Sequence, residues 1–258
     1  MNGSSIHVTR WGAAGPRAVL VHGSAKGSEV GGDRHFARQE KLAADGLQIL
    51  VPDRPGHGRS PDAGRPDDAE ADGVWVADML EDGAHLVGHS FGGCVALAAA
   101  ARKPEAVRSL TLIEPAVLAL AVNRPEVRSL LLKIVATTYL TFSDAARIKR
   151  FSTLLHIPDE IRGGADAATL KRMGKAIKAL KLPPPGRLRQ QVESVKRAGI
   201  PFLDVTGGWS PAFEVAADAT AALGAGRRLV IPSPHHFPHL VSDAFNTAFS
   251  ALVRKAEA

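Results

Sequence analysis

The chain has 258 residues, of which 45% are hydrophobic and 22% charged, values of a soluble globular protein able to bury one large core. Its one cysteine, Cys94, excludes an internal disulfide framework and any multi-cysteine zinc site. The formal charge of +6 is unevenly placed: residues 117–199 hold 16 Lys and Arg against 6 Asp and Glu, and the remainder holds 16 against 20.

The N-terminus, MNGSSIHVTRWG, lacks a basic start followed by an apolar run, and no apolar segment reaches bilayer length. A cytoplasmic protein without a membrane span is expected. Short apolar runs then recur at 6–11, 17–22, 47–52, 84–89, 109–114, 201–206 and 228–232, with helix-like stretches between them. Strands alternating with helices predict a mostly parallel sheet covered on both faces. The rhythm breaks between SLTLIE and PFLDVT, which are separated by more than 80 residues of helical periodicity. That interval is too long for an ordinary crossover. A helical cap over 117–199, inserted before the penultimate strand, is therefore expected, with 1–116 and 200–258 forming the core. Within it Leu170, Met173, Ile177 and Leu180 make an apolar stripe, Lys171, Lys175 and Lys178 fall on another face, and Pro183 is read as the helix stop.

The chemistry concentrates in Gly88-His89-Ser90-Phe91-Gly92, a G-x-S-x-G between a strand and an Ala-rich helix. A sharp strand-to-helix turn strains the serine and exposes its oxygen at the carboxyl end of the sheet, beside a helix N-terminus that favours negative charge. The plain alternative is a Gly/Ser turn that only caps a helix. Upstream, His22-Gly23-Ser24 ends another strand. Acyl transfer needs two backbone N–H donors aimed at the developing oxyanion, and Ser24 and Phe91 are placed to supply them. Cys94, one helical turn beyond Ser90, reads as a small buried hydrophobe.

Together VLVHGS, PDRPGHGRS (52–60), GHSFGG and IPSPHHFPHL resemble the α/β-hydrolase family. The resemblance covers both ends of the chain and leaves out 117–199, where that family carries its variable cap. It implies the α/β-hydrolase fold and a Ser-His-acid triad, with Asp53, Arg54 and His57 in a structural segment. It also places the base at His236, after the last strand, with His235 the alternative and His239 in a supporting role. The loop after PFLDVT, which commonly carries the acid, holds Ser210 instead. Candidate carboxylates are Glu114, Asp204 and Glu214. Asp204 lies inside a strand, where it is expected to face packing or be satisfied locally, and Glu214 is expected to be exposed in a first helical turn. Glu114 ends its strand before Pro115, and some members of the family, including lactone hydrolases of the zearalenone type, place the acid there; Glu114 is the expected triad acid.

These readings predict a cofactor-independent serine hydrolase of a carboxylic ester or lactone, with no metal. Carbon–carbon bond hydrolysis or slow-turnover ligand binding on the same scaffold are the alternatives. A small-molecule substrate is expected and nucleic acid is not, since no groove-reading motif accompanies the basic cap. The cap's charge either draws anionic substrates or surfaces, or is only a solvated face.

Overall fold

In the computed structural model, residues 6–24, 26–162 and 164–258 are described. The stretch 1–5, read above as lacking a leader, lies outside them. Seven strands form one sheet in the order β1-β3-β2-β4-β5-β6-β7. They are β1 (Val8–Trp11), β2 (Arg17–Val21), β3 (Gln48–Pro52), β4 (Ala84–His89), β5 (Val107–Ile113), β6 (Phe202–Thr206) and β7 (Arg227–Val230). Only β1 runs antiparallel to its neighbour. The seven predicted runs match these strands to within two residues at each end, and Glu114 falls just past β5 rather than inside it.

The central strands are continuous apolar runs because both of their faces are covered. Val19, Val21, Leu86, Leu110 and Leu112 point into one layer. Ala18, Leu20, Val87, Ile113 and Val205 point into the other. The helices are α1 (Gly32–His35), α2 (Ala69–Met79), α3 (Phe91–Arg102), α4 (Pro125–Tyr139), α5 (Asp144–Leu154), α6 (Asp159–Arg162), α7 (Ala167–Ala179), α8 (Pro185–Arg197), α9 (Pro211–Gly224) and α10 (Ala244–Glu257). Oxygen side chains set several of their starts: Asp68, Ser143 and Asp166 each accept a hydrogen bond from a backbone N–H three residues on.

The interval expected to form the cap divides in two. Helices α4, α5 and α7 stack over the carboxyl ends of the strands, with Val127 and Leu130 of α4 packed among Phe213 and Ala216 of α9. Helix α8 instead buries Leu188, Val192 and Val195 in the main core beside α3, and so belongs to the layer that covers the sheet. Along α7 the expected stripe faces inward, with Met173 and Ile177 buried, and the three lysines are exposed. The helix ends at Ala179, ahead of Pro183. There the chain turns extended to pair with the segment before α2: Lys181 N donates to Asp67 O (2.8 Å) and Ala69 N donates to Lys181 O (3.3 Å).

One buried cation holds α4, α5 and α7 together. Arg147 of α5 donates to the carbonyls of Thr138 (2.7 Å), Thr141 (2.7 Å) and Gly174 (3.2 Å), and pairs with Asp144. Arg147→Met leaves those buried carbonyls without a donor, which costs about 3 kcal/mol. Thermal melts should show a Tm lower by roughly 6–12 °C for a chain of this size. Hydrogen exchange should accelerate in α4, α5 and α7 and stay unchanged in β4 and β5.

Candidate active site

The strand order reverses direction at β2: β3 lies on one side and β4 on the other. Loops leaving β2 and β4 therefore diverge, and the crevice at their carboxyl ends is where open α/β sheets bind ligands. Ser90 stands at that point, between β4 and α3, with φ 55° and ψ −121°. A positive φ in a non-glycine residue is strained, and the surrounding bonds hold it. Ser90 N donates to Ile113 O (2.9 Å), while Ser90 O accepts from Gly93 N (2.9 Å) and Ala116 N (3.0 Å). A Cβ on Gly92 would stand 2.2 Å from Val21 O, so only glycine lets α3 begin this close to β2.

The loop after β2 reaches the serine from the other side. A Cβ on Gly23 would come within 3.1 Å of Ser90 Cβ. Two donors fix the Gly23 carbonyl: Arg54 Nη1 (2.9 Å) and His22 Nδ1 (2.8 Å). Because a trans peptide directs its C=O and N–H oppositely, the Ser24 N–H is turned away from Arg54. Ser24, Ser90 and Phe91 line one cavity of about 170 Å³. Its other walls are almost wholly apolar, including Leu131, Ile134, Phe151, Ile177, Leu182 and Phe213, and among the described residues no charged side chain lines it. A smaller space of about 30 Å³ shares Ser24, Phe151 and Ile177 with the first and is lined also by Ser28, His35 and Ser152.

Arg54 and His22 are the site residues that sequence reasoning missed. Arg54 is fully buried, pairs with Asp72 (2.9 Å) and Asp67 (2.7 Å), and lies 4.4 Å from the centre of the Phe91 ring. It thus touches the carbonyl side of the peptide whose N–H belongs to Ser24, and the ring of Phe91. His22 has one tautomer available, with Nδ1–H donating to Gly23 O and Nε2 accepting from Arg54 N (2.9 Å). No spacing rule flags either residue. An arginine two positions beyond a buried strand was the available hint. The other residues of that segment are structural: Asp53 accepts from Gly32 N and Arg59 N, and His57 lies 3.7 Å from Asp67.

The loop after β7 brings His236 to the same rim. His89, the residue before Ser90, donates from Nε2 to His236 O (2.8 Å), and the His236 ring packs against Phe213. Glu114 Oε2 lies 3.4 Å from His236 Nδ1, both side chains being buried. The Glu114 backbone has φ 45°, a strained turn that swings it off β5. Its Oε1 accepts from Gly207 N (2.6 Å) and Trp209 Nε1 (3.2 Å). The loop after β6, where a carboxylate was missing, thus supplies donors to the one on β5.

The rival carboxylates are held apart from His236's Nδ1. Asp204 is fully buried and its carboxyl has no hydrogen-bond partner among the described residues, so of the two alternatives it faces packing. Burial raises its pKa well above the ordinary value, with Glu114 and Glu214 adding repulsion that Arg228 only partly offsets. Glu214 is half-buried rather than exposed, because Thr206 Oγ1 (2.9 Å), Gly208 N (3.0 Å) and Arg228 Nη2 (2.7 Å) all bind it. His235 is turned toward Ser233 and accepts from Phe237 N (3.2 Å). His239 donates to His35 O (2.9 Å) from a buried position. Burial pushes the Cys94 thiol up to about 12, in keeping with an inert packing residue.

The chain belongs to the α/β-hydrolase family: the model for the alpha/beta hydrolase fold matches residues 16–155. Among curated proteins it is similar to "Lipase LipV" of Mycobacterium tuberculosis, 38% identical over 119 residues, which cover 43% of this chain and 42% of that one. It is 37% identical over 150 residues to a pimeloyl-[acyl-carrier protein] methyl ester esterase of Neisseria meningitidis, 55% of either chain. A 2-hydroxymuconate semialdehyde hydrolase of a Pseudomonas species is 39% identical over 108 residues, 39% of this chain and 36% of that one. The matches span about half or less of these relatives' lengths. Among solved structures, the N-acyl homoserine lactonase AidH with N-butanoyl homoserine superposes with a TM-score of 0.67 at 20% identity, covering 97% of this chain and 93% of that chain. MenH from S. aureus gives 0.70 at 18% identity, covering 98% and 99%. At these identities the likeness is one of fold. No helix among the described residues is long and apolar enough to cross a membrane.

Histidines crowd the site's base. Burial holds His22 and His89 well below the ordinary value, His35 and His239 at about 3, and His57 at about 4. These five are neutral at pH 5.5 in the folded chain. Unfolding frees each to take up about 0.9 proton there, roughly four to five in all, an uptake that the raised Asp204 offsets only in part. The unfolded chain then binds more protons, so stability falls as pH drops from about 6.5 toward 4. Tm should decline steeply across that window, and calorimetry in buffers of different ionisation enthalpy should count the protons. A flat Tm between pH 7 and 5 would contradict this picture of the site's base.

Proposed function

We propose that the chain is a cofactor-independent serine hydrolase that cleaves a carboxylic ester or lactone with an apolar, uncharged acyl part. The observation that carries the reading is the strained Ser90, set at the floor of an apolar cavity, with a Glu114 and His236 pair at the same strand ends. In this mechanism Ser90 Oγ attacks the carbonyl carbon while His236 Nε2 takes the hydroxyl proton. Glu114 holds the imidazole by Nδ1 and stabilises the imidazolium. The N–H groups of Ser24 and Phe91 bind the oxyanion, their peptides fixed by Arg54 and by the start of α3. His236 then returns its proton to the leaving alkoxide, and water enters to hydrolyse the acyl-enzyme by the same relay in reverse.

The apolar cavity bears on the choice of reaction. An acid-bearing substrate, such as the dioates in the names of some carbon–carbon hydrolases to which the chain is similar, would need a buried cation to pair with its second carboxylate. Among the described residues no charged side chain lines the cavity, which favours a neutral acyl chain and ranks carbon–carbon cleavage second. The basic cap surface leaves this preference unchanged, since its lysines are on the outside.

Ser90→Ala should lower turnover by about three orders of magnitude or more with the fold intact, and should abolish covalent labelling by a serine-directed phosphonate. Glu114→Gln should lower kcat roughly a thousandfold with little change in KM, whereas Glu214→Gln and Asp204→Asn stay far milder. Steady-state kinetics decide: if Glu214→Gln is the severe variant, the acid is on the other strand. The cavity yields a separate expectation about substrate. Each methylene buried in it is worth about 0.8 kcal/mol, so kcat/KM for p-nitrophenyl esters should rise roughly tenfold for every two carbons from acetate to hexanoate. A flat series would show that the acyl chain does not enter this cavity.

A further inference from the structure

Helix α4 is apolar on two opposite sides. Its inner side packs Val127 and Leu130 on α9 and turns Leu131, Ile134 and Thr138 into the cavity. Its outer side carries Leu132, Val135 and Tyr139 at helical spacing, and the turn that follows adds Leu140 and Phe142. Leu132 is 70% exposed, Leu140 73%, and Phe142 fully so. Five large apolar side chains grouped on one ridge are far from the scattered exposure of an ordinary surface.

The charge around the ridge identifies what covers it. From Arg124 to Arg150 the α4–α5 hairpin has six cations, Arg124, Arg128, Lys133, Arg147, Lys149 and Arg150, and two acids. Both acids are engaged: Glu126 lies 4.0 Å from Arg124, and Asp144 pairs with the buried Arg147. Lys133, Lys149 and Arg150 are exposed, and Arg150 reaches Thr141 Oγ1 (3.4 Å), next to Phe142. A second copy of the chain is a poor occupant. Isologous pairing through this face would oppose two hairpins that each hold six cations against two acids.

We infer that the outer face of α4 and the turn through Phe142 form a docking surface for an anionic lipid bilayer. Leu132, Leu140 and Phe142 insert among acyl chains, Tyr139 sits at the headgroup level, and Lys133, Lys149 and Arg150 meet the lipid phosphates. Exposed Leu182 lines the cavity, so the cap holds both the ridge and part of the cavity wall. The inference does not depend on the reaction proposed above, and its test uses no activity measurement.

The test is flotation of the whole chain with phosphatidylcholine vesicles, with or without about 30 mol% phosphatidylglycerol, at roughly 0.1 M and 0.5 M salt. Binding to the anionic vesicles should exceed binding to the neutral ones at least tenfold and weaken at the higher salt. The combined variant Leu132→Ser, Leu140→Ser, Phe142→Ser should lose that binding by a factor of ten or more with its Tm unchanged, and Lys133→Glu with Lys149→Glu should lose the preference for anionic lipid. Three results would overturn the inference: no flotation of the native chain, equal flotation of native chain and serine variant, or sedimentation showing a native dimer that the serine substitutions split.

Discussion

A guanidinium shut away from water must have its charge answered, since removing one partner of a buried ion pair costs roughly 3–5 kcal/mol. Arg54 meets that condition with Asp67 and Asp72 and spends a remaining donor on the Gly23 carbonyl. The consequences spread outward from there. The loop after β2 is locked in one peptide orientation, the Phe91 ring is set against the cation, and α2 is tied through Asp72 to the base of the site. The strained turn at Ser90 sits on this platform, and its geometry is affordable only because the neighbouring chain is already fixed.

Three carboxylates near the ends of β5 and β6 show how environment divides one chemistry into different roles. Glu114 has two N–H donors and an imidazole beside it. Glu214 is engaged by Arg228, Thr206 and Gly208 and ties α9 to the sheet edge. Asp204 is buried with no hydrogen-bond partner for its carboxyl among the described residues, and burial pushes its pKa well above the ordinary value.

Much of this was legible in the sequence because it rests on local rules. Recurring apolar runs located the seven strands, and the G-x-S-x-G between a strand and an Ala-rich helix marked the sharp turn at Ser90. Glu114 was legible because Pro115 forces the chain off the sheet at that residue. What stayed hidden depends on contacts between distant segments. Nothing near Glu114 reveals that Gly207 and Trp209 will donate to it, and nothing near Arg54 reveals Asp67, Asp72 and Gly23 as partners. The allegiance of α8 was equally hidden, since its amphipathic pattern fits a cap helix and a sheet-covering helix alike, and only its packing on α3 decides. The end of α7 was misread at Pro183 because the backbone pairing of Lys181 with the segment before α2 has no side-chain signature.

Phe151 and Ile177 wall both the larger cavity and the small space beside Ser24, and both belong to the cap. Every group proposed to move a proton or hold an oxyanion comes from strand ends of the core. In the proposed reaction the reacting groups and most of the cavity wall therefore come from separate stretches of the chain, with Phe213 and Ala116 among the wall residues that the core supplies. An altered residue at either of those two partition positions would reapportion the volume on the two sides of the reacting carbonyl without touching the machinery that breaks the bond. For the proposed reaction, the same core is thus open to being retuned from one ester to another by changes within the cap segment.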